Sequence, residues 1–260
     1  MKGVKTTLEQ MNLPGVPRAK QGREVAPKWA WTEATVWTER MLETLERGVQ
    51  GGRWYSLIDK VWKKETLEQA ARAVVSRKGA AGIDGESTEA FKAKQSEHVE
   101  LLSRLVREGR YLPQPVKRAW IEKPGSPEKR PLGVPTVRDR VVQTAMVYVL
   151  EPIFEKDFAE HSYGFRPGRN AQQAIGRVER LLIEGHTWVV DADLKGYFDS
   201  IPQDRLKEVV AEKVIDGRVL ELVEAYLKQG VMETGKGWTP TERGTPQGAV
   251  LSPLLANVYL

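Results

Sequence analysis

A run of mostly apolar, β-branched residues, Thr187-Trp188-Val189-Val190, passes without a break into Asp191-Ala192-Asp193-Leu194-Lys195-Gly196-Tyr197-Phe198-Asp199. Such a run predicts a short strand of the buried type. Carboxylates where a buried strand ends, beside a glycine that admits close backbone approach, are how a hard cation such as Mg²⁺ is held next to a phosphate. A strand-end aspartate is also an ordinary turn or cap residue, so this segment alone predicts a strand and a turn and leaves the metal open.

The rest of the chain supplies the frame. The first thirty residues, with Pro14, Pro17 and Pro27 and little periodicity, read as an irregular arm. Apolar spacing predicts a helix from about Glu33 through Trp37, Met41, Leu45 and Val49, and a second begun by Trp54, Leu57, Ile58, Val61 and Trp62. Thr66 and Gln69 have the spacing of a capping box opening a helix that Gly79 ends, and past the turn Gly82-Ile83-Asp84-Gly85 another helix is expected over roughly Ser87 to Arg107. The tryptophans here are expected in the core. The pattern then changes: Val116 to Lys123 and Arg130 to Pro135 read as the strands of a hairpin turned by Pro124-Gly125-Ser126-Pro127. Thr136 with Asp139 predicts a capped helix through Leu150, Asn170 starts one that ends before Gly185, and Pro202 fits the first turn of a third. Strands are expected around Val231–Glu233 and Thr239–Arg243, with Gly244-Thr245-Pro246-Gln247-Gly248 opening a last helix.

Composition narrows the chemistry. The 260 residues contain no cysteine, which excludes a disulfide framework, a thiolate zinc site, an iron–sulfur cluster and a cysteine nucleophile. His98, His161 and His186 are too scattered for a histidine-rich site, so any metal must rest on carboxylates. No apolar run approaches the ~20 residues of a membrane helix, and Met1 leads into no apolar leader, so a cytoplasmic chain is expected. The net charge of +5 is unevenly spread: Leu102 to Arg140 holds ten Lys/Arg against four acids, an excess larger than that of the whole chain. A solvated helix face is the ordinary reading of such a run, and an anionic partner the sharper one.

Four blocks sharpen it. Lys123-Pro-Gly-Ser-Pro-Glu-Lys-Arg130-Pro-Leu-Gly, His161-Ser-Tyr-Gly-Phe-Arg-Pro-Gly-Arg169-Asn, Asp193-Leu-Lys-Gly-Tyr-Phe-Asp199 and Gly244-Thr-Pro-Gln-Gly248-Ala-Val-Leu-Ser-Pro-Leu-Leu-Ala-Asn-Val-Tyr-Leu260 stand in this order. In order and spacing they resemble the characteristic blocks of reverse transcriptases encoded by bacterial group II introns. The resemblance runs from about Trp54 to Leu260. Its second and fourth blocks are closer to the group II branch than to retroviral enzymes, with diversity-generating and CRISPR-associated reverse transcriptases as the alternative lineage.

The resemblance assigns roles to particular residues. It implies that Asp193 is one of two aspartates bridging catalytic Mg²⁺, with the backbone carbonyl of Leu194 as a further ligand. Lys123 and Arg130 would clamp the triphosphate of an incoming deoxynucleotide, the arginine by its fork and the lysine as a point charge. Phe198 would be the steric gate under the sugar. Gln247 would sit beside the nucleotide and template base, with Gly248 allowing close backbone approach, and Asp199 would be a structural partner of the turn. Arg166 and Arg169 would contact template phosphates, and Lys117 and Arg118, from the basic window, are RNA-binding candidates. The implied partners are group II intron RNA, an RNA template, a DNA primer and deoxynucleotides, without a membrane. A homodimer is compatible with this, and the implied setting is a cytoplasmic, nucleoid-associated ribonucleoprotein.

The second catalytic aspartate of the family lies in a Tyr-Ala-Asp-Asp block downstream of the Pro-Gln-Gly segment, and these 260 residues contain no adjacent pair of aspartates. They are therefore expected to hold the fingers and the N-terminal part of the palm, and not to polymerise DNA alone. Two classes of function compete: part of an RNA-directed DNA polymerase that makes cDNA, or a non-catalytic, maturase-like RNA-binding module or truncated pseudogene product. The expected fold is α+β, with an arm and first helix over 1–52, an N-terminal extension and fingers hairpin over 53–160, and an incomplete palm with short antiparallel strands over 161–260. The palm edge is expected to be partly unpaired.

Overall fold

In the computed structural model of the chain, the described residues are 27–49, 52–122, 125 and 127–260. Residues 1–26 of the arm read into the first thirty residues, and the clamp residue Lys123, lie outside them. Residues 31–260 form one compact unit, and in the residues that precede it Pro27–Trp29 is a 3₁₀ turn.

The architecture is α+β. Among the described residues, α1 (Glu39–Arg47), α2 (Ile58–Trp62), α3 (Lys64–Ser76), α4 (Thr88–Ala93) and α5 (Gln95–Arg107) precede the hairpin β1 (Val116–Glu122) and β2 (Lys129–Val134). Next come α6 (Val137–Glu155), α7 (Ala171–Ile183), α8 (Tyr197–Ser200), α9 (Gln203–Ala211) and α10 (Gly217–Lys228). Two short strands, β3 (Val231–Glu233) and β4 (Gly237–Thr239), and the helix α11 (Ser252–Tyr259) complete it. The sheet has the order β2-β1-β3-β4. Both hairpins are antiparallel, and they join in parallel through Val116 opposite Val231 and Lys117 opposite Met232.

Helix α6 is the axis of the core, because apolar residues surround it rather than lining one stripe. Val141, Val142, Ala145, Met146 and Val149 are fully buried, and the helix packs against α2, α3, α5 and α11. As expected, Thr136 caps it, its hydroxyl accepting from the Asp139 amide at 3.1 Å, a contact worth about 1 kcal/mol. The buried Asp139 carboxylate takes the hydroxyls of Tyr111 and Thr136 and the Gln114 amide. Burial nonetheless holds its pKa above the ordinary value. Pro152 has no N–H for the carbonyl of Tyr148, four residues earlier, and Trp37 donates its indole N–H to that carbonyl instead, at 2.8 Å. Trp37 is thereby a core residue, edge-on to Trp54 at 5.3 Å.

Several boundaries differ from the sequence reading, each for a local reason. Helix α1 starts at Glu39 rather than Glu33, because residues 34–36 turn and Thr38 caps the helix. Thr66 opens no helix: the chain enters α3 from the extended Lys63, and Thr66 is buried inside the first turn. Lys94, at φ −122° and ψ 27°, breaks the expected Ser87–Arg107 helix into α4 and α5. Pro202 is the N-cap of α9 rather than a first-turn residue, and β4 lies slightly earlier than expected.

The largest correction concerns Thr187–Val190, which has no regular secondary structure. Trp188 and Val190 are 96% and 95% exposed. Extended chain becomes a strand only when a neighbour closes its ladder, and no described strand lies beside this one. The expected palm strand carrying Asp193 is therefore absent among the described residues. Helix α7 has the same isolation: Asn170 and Gln173 close the capping box the helix needs, yet none of its side chains is buried.

Candidate functional site

One open cleft of about 980 Å³ collects most of the predicted site. Its walls are β2, the turn around residues 193–199 and the loop that runs from Gln247 to Pro253. Arg130, Asp193, Leu194, Phe198, Gln247 and Gly248 all line it, as do Arg77, Lys129 and Phe165, which the sequence reading did not single out. Lys129 and Arg130 are exposed at the base of the hairpin turn, so cations stand at one wall and the carboxylate of Asp193 at another. That division suits a ligand whose anionic group is large and whose other parts are not charged.

The 244–251 loop is not the helix start that was expected, because buried side chains hold it in an irregular path. Gln203 donates its side-chain amide to the carbonyls of Gly244 and Leu227 at 3.0 Å each. From the other side, the carbonyl of the fully buried Gln143 side chain accepts from the amides of Val250 and Leu251 at 2.7 and 3.2 Å. Ser252 closes the loop by donating to the Pro246 carbonyl. These glutamines were missed, although Gln143 had a signal: an uncharged polar residue set among Val141, Val142, Ala145 and Met146 at helical spacing.

Two backbone bonds stitch this loop to the 196–201 turn, from Gly244 N to the Ile201 carbonyl at 2.7 Å and from Thr245 N to the Phe198 carbonyl at 2.8 Å. Here Gly244 is required. A Cβ on it would lie 2.6 Å from the Phe198 oxygen. Gly248, at φ +102°, also has a packing role: its Cβ would lie 2.7 Å from the Gly133 carbonyl, so it lets the loop seat against β2. The Gly133 amide then donates to the Gln247 carbonyl at 2.6 Å.

Phe198 stands edge-on to Phe165 at 6.2 Å and to Tyr197 at 6.1 Å. Phe165 adopts φ +54°, an uncommon conformation for an aromatic residue, while two-thirds exposed in the cleft. Asp199 keeps the turn, its amide donating to the Gly196 carbonyl at 3.0 Å, and its carboxylate accepts from Nε2 of Gln247 at 2.8 Å.

Asp193 and Leu194 are exposed on a segment without ladder bonds. Among the described residues no three aspartates, glutamates or histidines are grouped to hold a metal ion. Asp193 thus supplies only part of a shell for a hard cation such as Mg²⁺, which takes six oxygen ligands in near-octahedral geometry.

The expected RNA contacts divide. Lys117 is exposed on β1, and Arg118 lies over the Trp120 ring at 5.9 Å. Arg169 is half-buried, donating to the Glu160 carbonyl at 2.8 Å. Arg166 does not fit a template contact. It is buried, its fork is paired with Glu155 at 2.7 Å, and it also donates to the carbonyls of Ala159 and Ser162. Its work is to tie the 159–166 loop to α6.

Comparison with known proteins agrees with this geometry. Residues 121–260 match the family described as reverse transcriptase (RNA-dependent DNA polymerase). The chain is 38% identical over 210 residues to Protein YkfC of Escherichia coli, covering 78% of this chain and 55% of that protein. It is 38% identical over 193 residues to the group II intron-encoded protein LtrA of Lactococcus lactis, covering 74% of this chain and 31% of LtrA. It therefore spans about half of the one relative and a third of the other. Among solved structures, a chain of a partial Cas6-RT-Cas1–Cas2 complex has the same fold, at a TM-score of 0.53 and 23% identity over 78% of this chain and 33% of that one.

Proposed function

Because this chain belongs to the reverse transcriptase family, in its group II intron-encoded branch, we propose that its cleft receives the deoxynucleoside triphosphate used in RNA-directed DNA synthesis. The observation that carries the reading is the convergence of Arg130, Phe198, Gln247 and Asp193 on one cleft from three separate stretches of chain. Arg130 and Lys129 take the triphosphate, whose charge would otherwise go unpaired. The Phe198 ring lies under the sugar and leaves no room for a 2′-hydroxyl. Asp193 lies across the cleft from the cations, at the end where a divalent ion belongs in this family.

Reverse transcriptases generally use divalent metal ions, and an oxygen-only donor set suits a hard cation such as Mg²⁺. With no adjacent pair of aspartates to complete the site begun by Asp193, the 260 residues are expected to bind nucleotide and not to extend a primer. Equilibrium binding of dTTP and its ribonucleotide counterpart tests the reading. The wild type is expected to prefer dTTP, and Phe198→Ala to lose most of that preference. Absence of nucleotide binding overturns it.

A second reading, RNA binding by the hairpin, is favoured by the exposed Lys117, Lys129 and Arg130 on its two strands. The template or an intron RNA is the proposed partner. Each phosphate contact is expected to add about 0.7–0.9 to the slope of log K against log salt, and salt-independent binding refutes it.

A further inference from the structure

A second, smaller pocket of about 60 Å³ shares Asp199 and Gln247 with the cleft and no other residue, and the nucleotide reading makes no use of it. Arg118 reaches it from the sheet, and Thr241 and Arg243 from the stretch that leads into the 244–251 loop. We propose that it is an oxyanion site of the phosphate class, in which Arg118, Arg243 and the Thr241 hydroxyl hold free phosphate or a phosphodiester of a nucleic-acid strand.

Charge and hydrogen bonding select that ligand. Among the described residues neither guanidinium is paired with a carboxylate: Arg118 lies over the Trp120 ring, and Arg243 is exposed. The acid at the pocket is Asp199, one oxygen of which already accepts from Gln247 at 2.8 Å. Two guanidinium charges against one carboxylate leave an excess of one positive charge, which a singly charged anion cancels. The Thr241 side-chain oxygen is buried without a hydrogen-bond partner among the described residues. An arginine only donates and a hydroxyl can donate, so all three groups are served by an anion that only accepts. They come from a strand and from a loop. A tetrahedral phosphate offers acceptors in more than one plane, which a planar carboxylate does not.

The pocket is also built before any ligand arrives. Arg118 stands inside β1 opposite Gly133, which has no side chain to fill the space, and a Cβ there would strike Val116 at 2.8 Å. Val116 and Val231, opposite one another in the sheet, give the pocket an apolar side. On the loop side, Gln203 donates to the carbonyls of Thr241 and Gly244 at 3.3 and 3.0 Å, so the chain is fixed on both sides of Arg243. Donors held in advance lose little freedom on binding. The space takes a few waters or one tetrahedral oxyanion, and it excludes a base or a sugar.

Thermal melting of the 260-residue chain in phosphate and in chloride at matched ionic strength tests this, because a ligand of the folded state raises the melting temperature. The wild type is expected to melt higher in phosphate. Arg118→Gln and Arg243→Gln are each expected to weaken phosphate binding by about tenfold or more, and Thr241→Val by less. Lys236→Gln, which removes one positive charge from the neighbouring β3–β4 turn, is expected to keep the full shift. Each variant is compared with its own melting point in chloride, which separates lost binding from lost stability. A short single-stranded RNA distinguishes the sources: affinity that falls in both arginine variants marks a strand phosphate, and affinity unchanged in them marks free phosphate. Equal melting of the wild type in the two salts, or a phosphate shift that survives in both arginine variants, overturns the inference. Neither result bears on the nucleotide reading, which is tested by dTTP in the cleft.

Discussion

The loop of residues 244–251 and the segment of residues 187–195 both border the cleft with residues assigned to chemistry, Gln247 on the first and Asp193 close to the end of the second. The loop has no regular secondary structure, yet Gln143, Gln203 and Ser252 hold it through bonds to backbone, and Gly133 seats it against β2. The segment has the more regular sequence of the two, a run that reads as a strand, and is almost wholly exposed. Regularity of sequence did not decide which became rigid. The decisive quantity is whether the backbone N–H and C=O groups find partners, which for the loop come from buried amide side chains and for the segment must come from a neighbouring strand.

If that contrast is right, the largest effect belongs to the side chains under the loop. Gln143→Leu leaves the amides of Val250 and Leu251 buried without an acceptor, and chemical denaturation is expected to report a loss of about 2–5 kcal/mol. Gly248→Ala comes next. Its new Cβ meets the Gly133 carbonyl at 2.7 Å in a backbone conformation that alanine resists, so a loss of about 2–3 kcal/mol is expected in the same assay.

The pH profile sharpens the comparison along α6, which carries both Gln143 and Glu151. Burial, with repulsion from Glu155, raises the Glu151 pKa from 4.5 to about 7. The folded state then holds this proton more tightly than the unfolded chain does. The stability it contributes is full below pH 4.5 and is lost as pH rises through about 7, and Glu151→Gln is expected to flatten that fall in denaturation measured across the window. The smallest effect belongs to the segment. Trp188→Ser removes a side chain that is 96% exposed, and stability is expected to change by less than about 0.5 kcal/mol. A large loss there would mean that the segment is packed after all.

Much of the frame was legible because its signals were local. The hairpin follows from two strand-like runs around a Pro-Gly turn, and the starts of α6 and α7 follow from Thr136 and Asn170, whose caps need only the next three residues. Thr66 shows the limit of such signals, since the same spacing fails where the chain has already entered the helix at Lys64. The cleft was legible as a set of residues, since Arg130, Phe198 and Gln247 all line it. Its construction was not. The Asp199–Gln247 bond joins residues 48 apart, and Arg166 meets Glu155, pairings that depend on how distant segments cross. The strand read into Thr187–Val190 failed for the same reason, because a ladder needs a second strand and no local pattern says where it is.

The central claim is that the half of the cleft built by β2, Phe198 and the 244–251 loop is already formed for nucleotide binding, independently of the exposed Asp193. Titration of dTTP against the wild type, Arg130→Ala and Asp193→Ala in metal-free buffer tests it most directly. Arg130→Ala is expected to weaken binding by about tenfold or more, as for loss of a charge-assisted contact, and Asp193→Ala to leave it within about twofold. Equal weakening by both variants, or an effect confined to Asp193→Ala, would contradict the account.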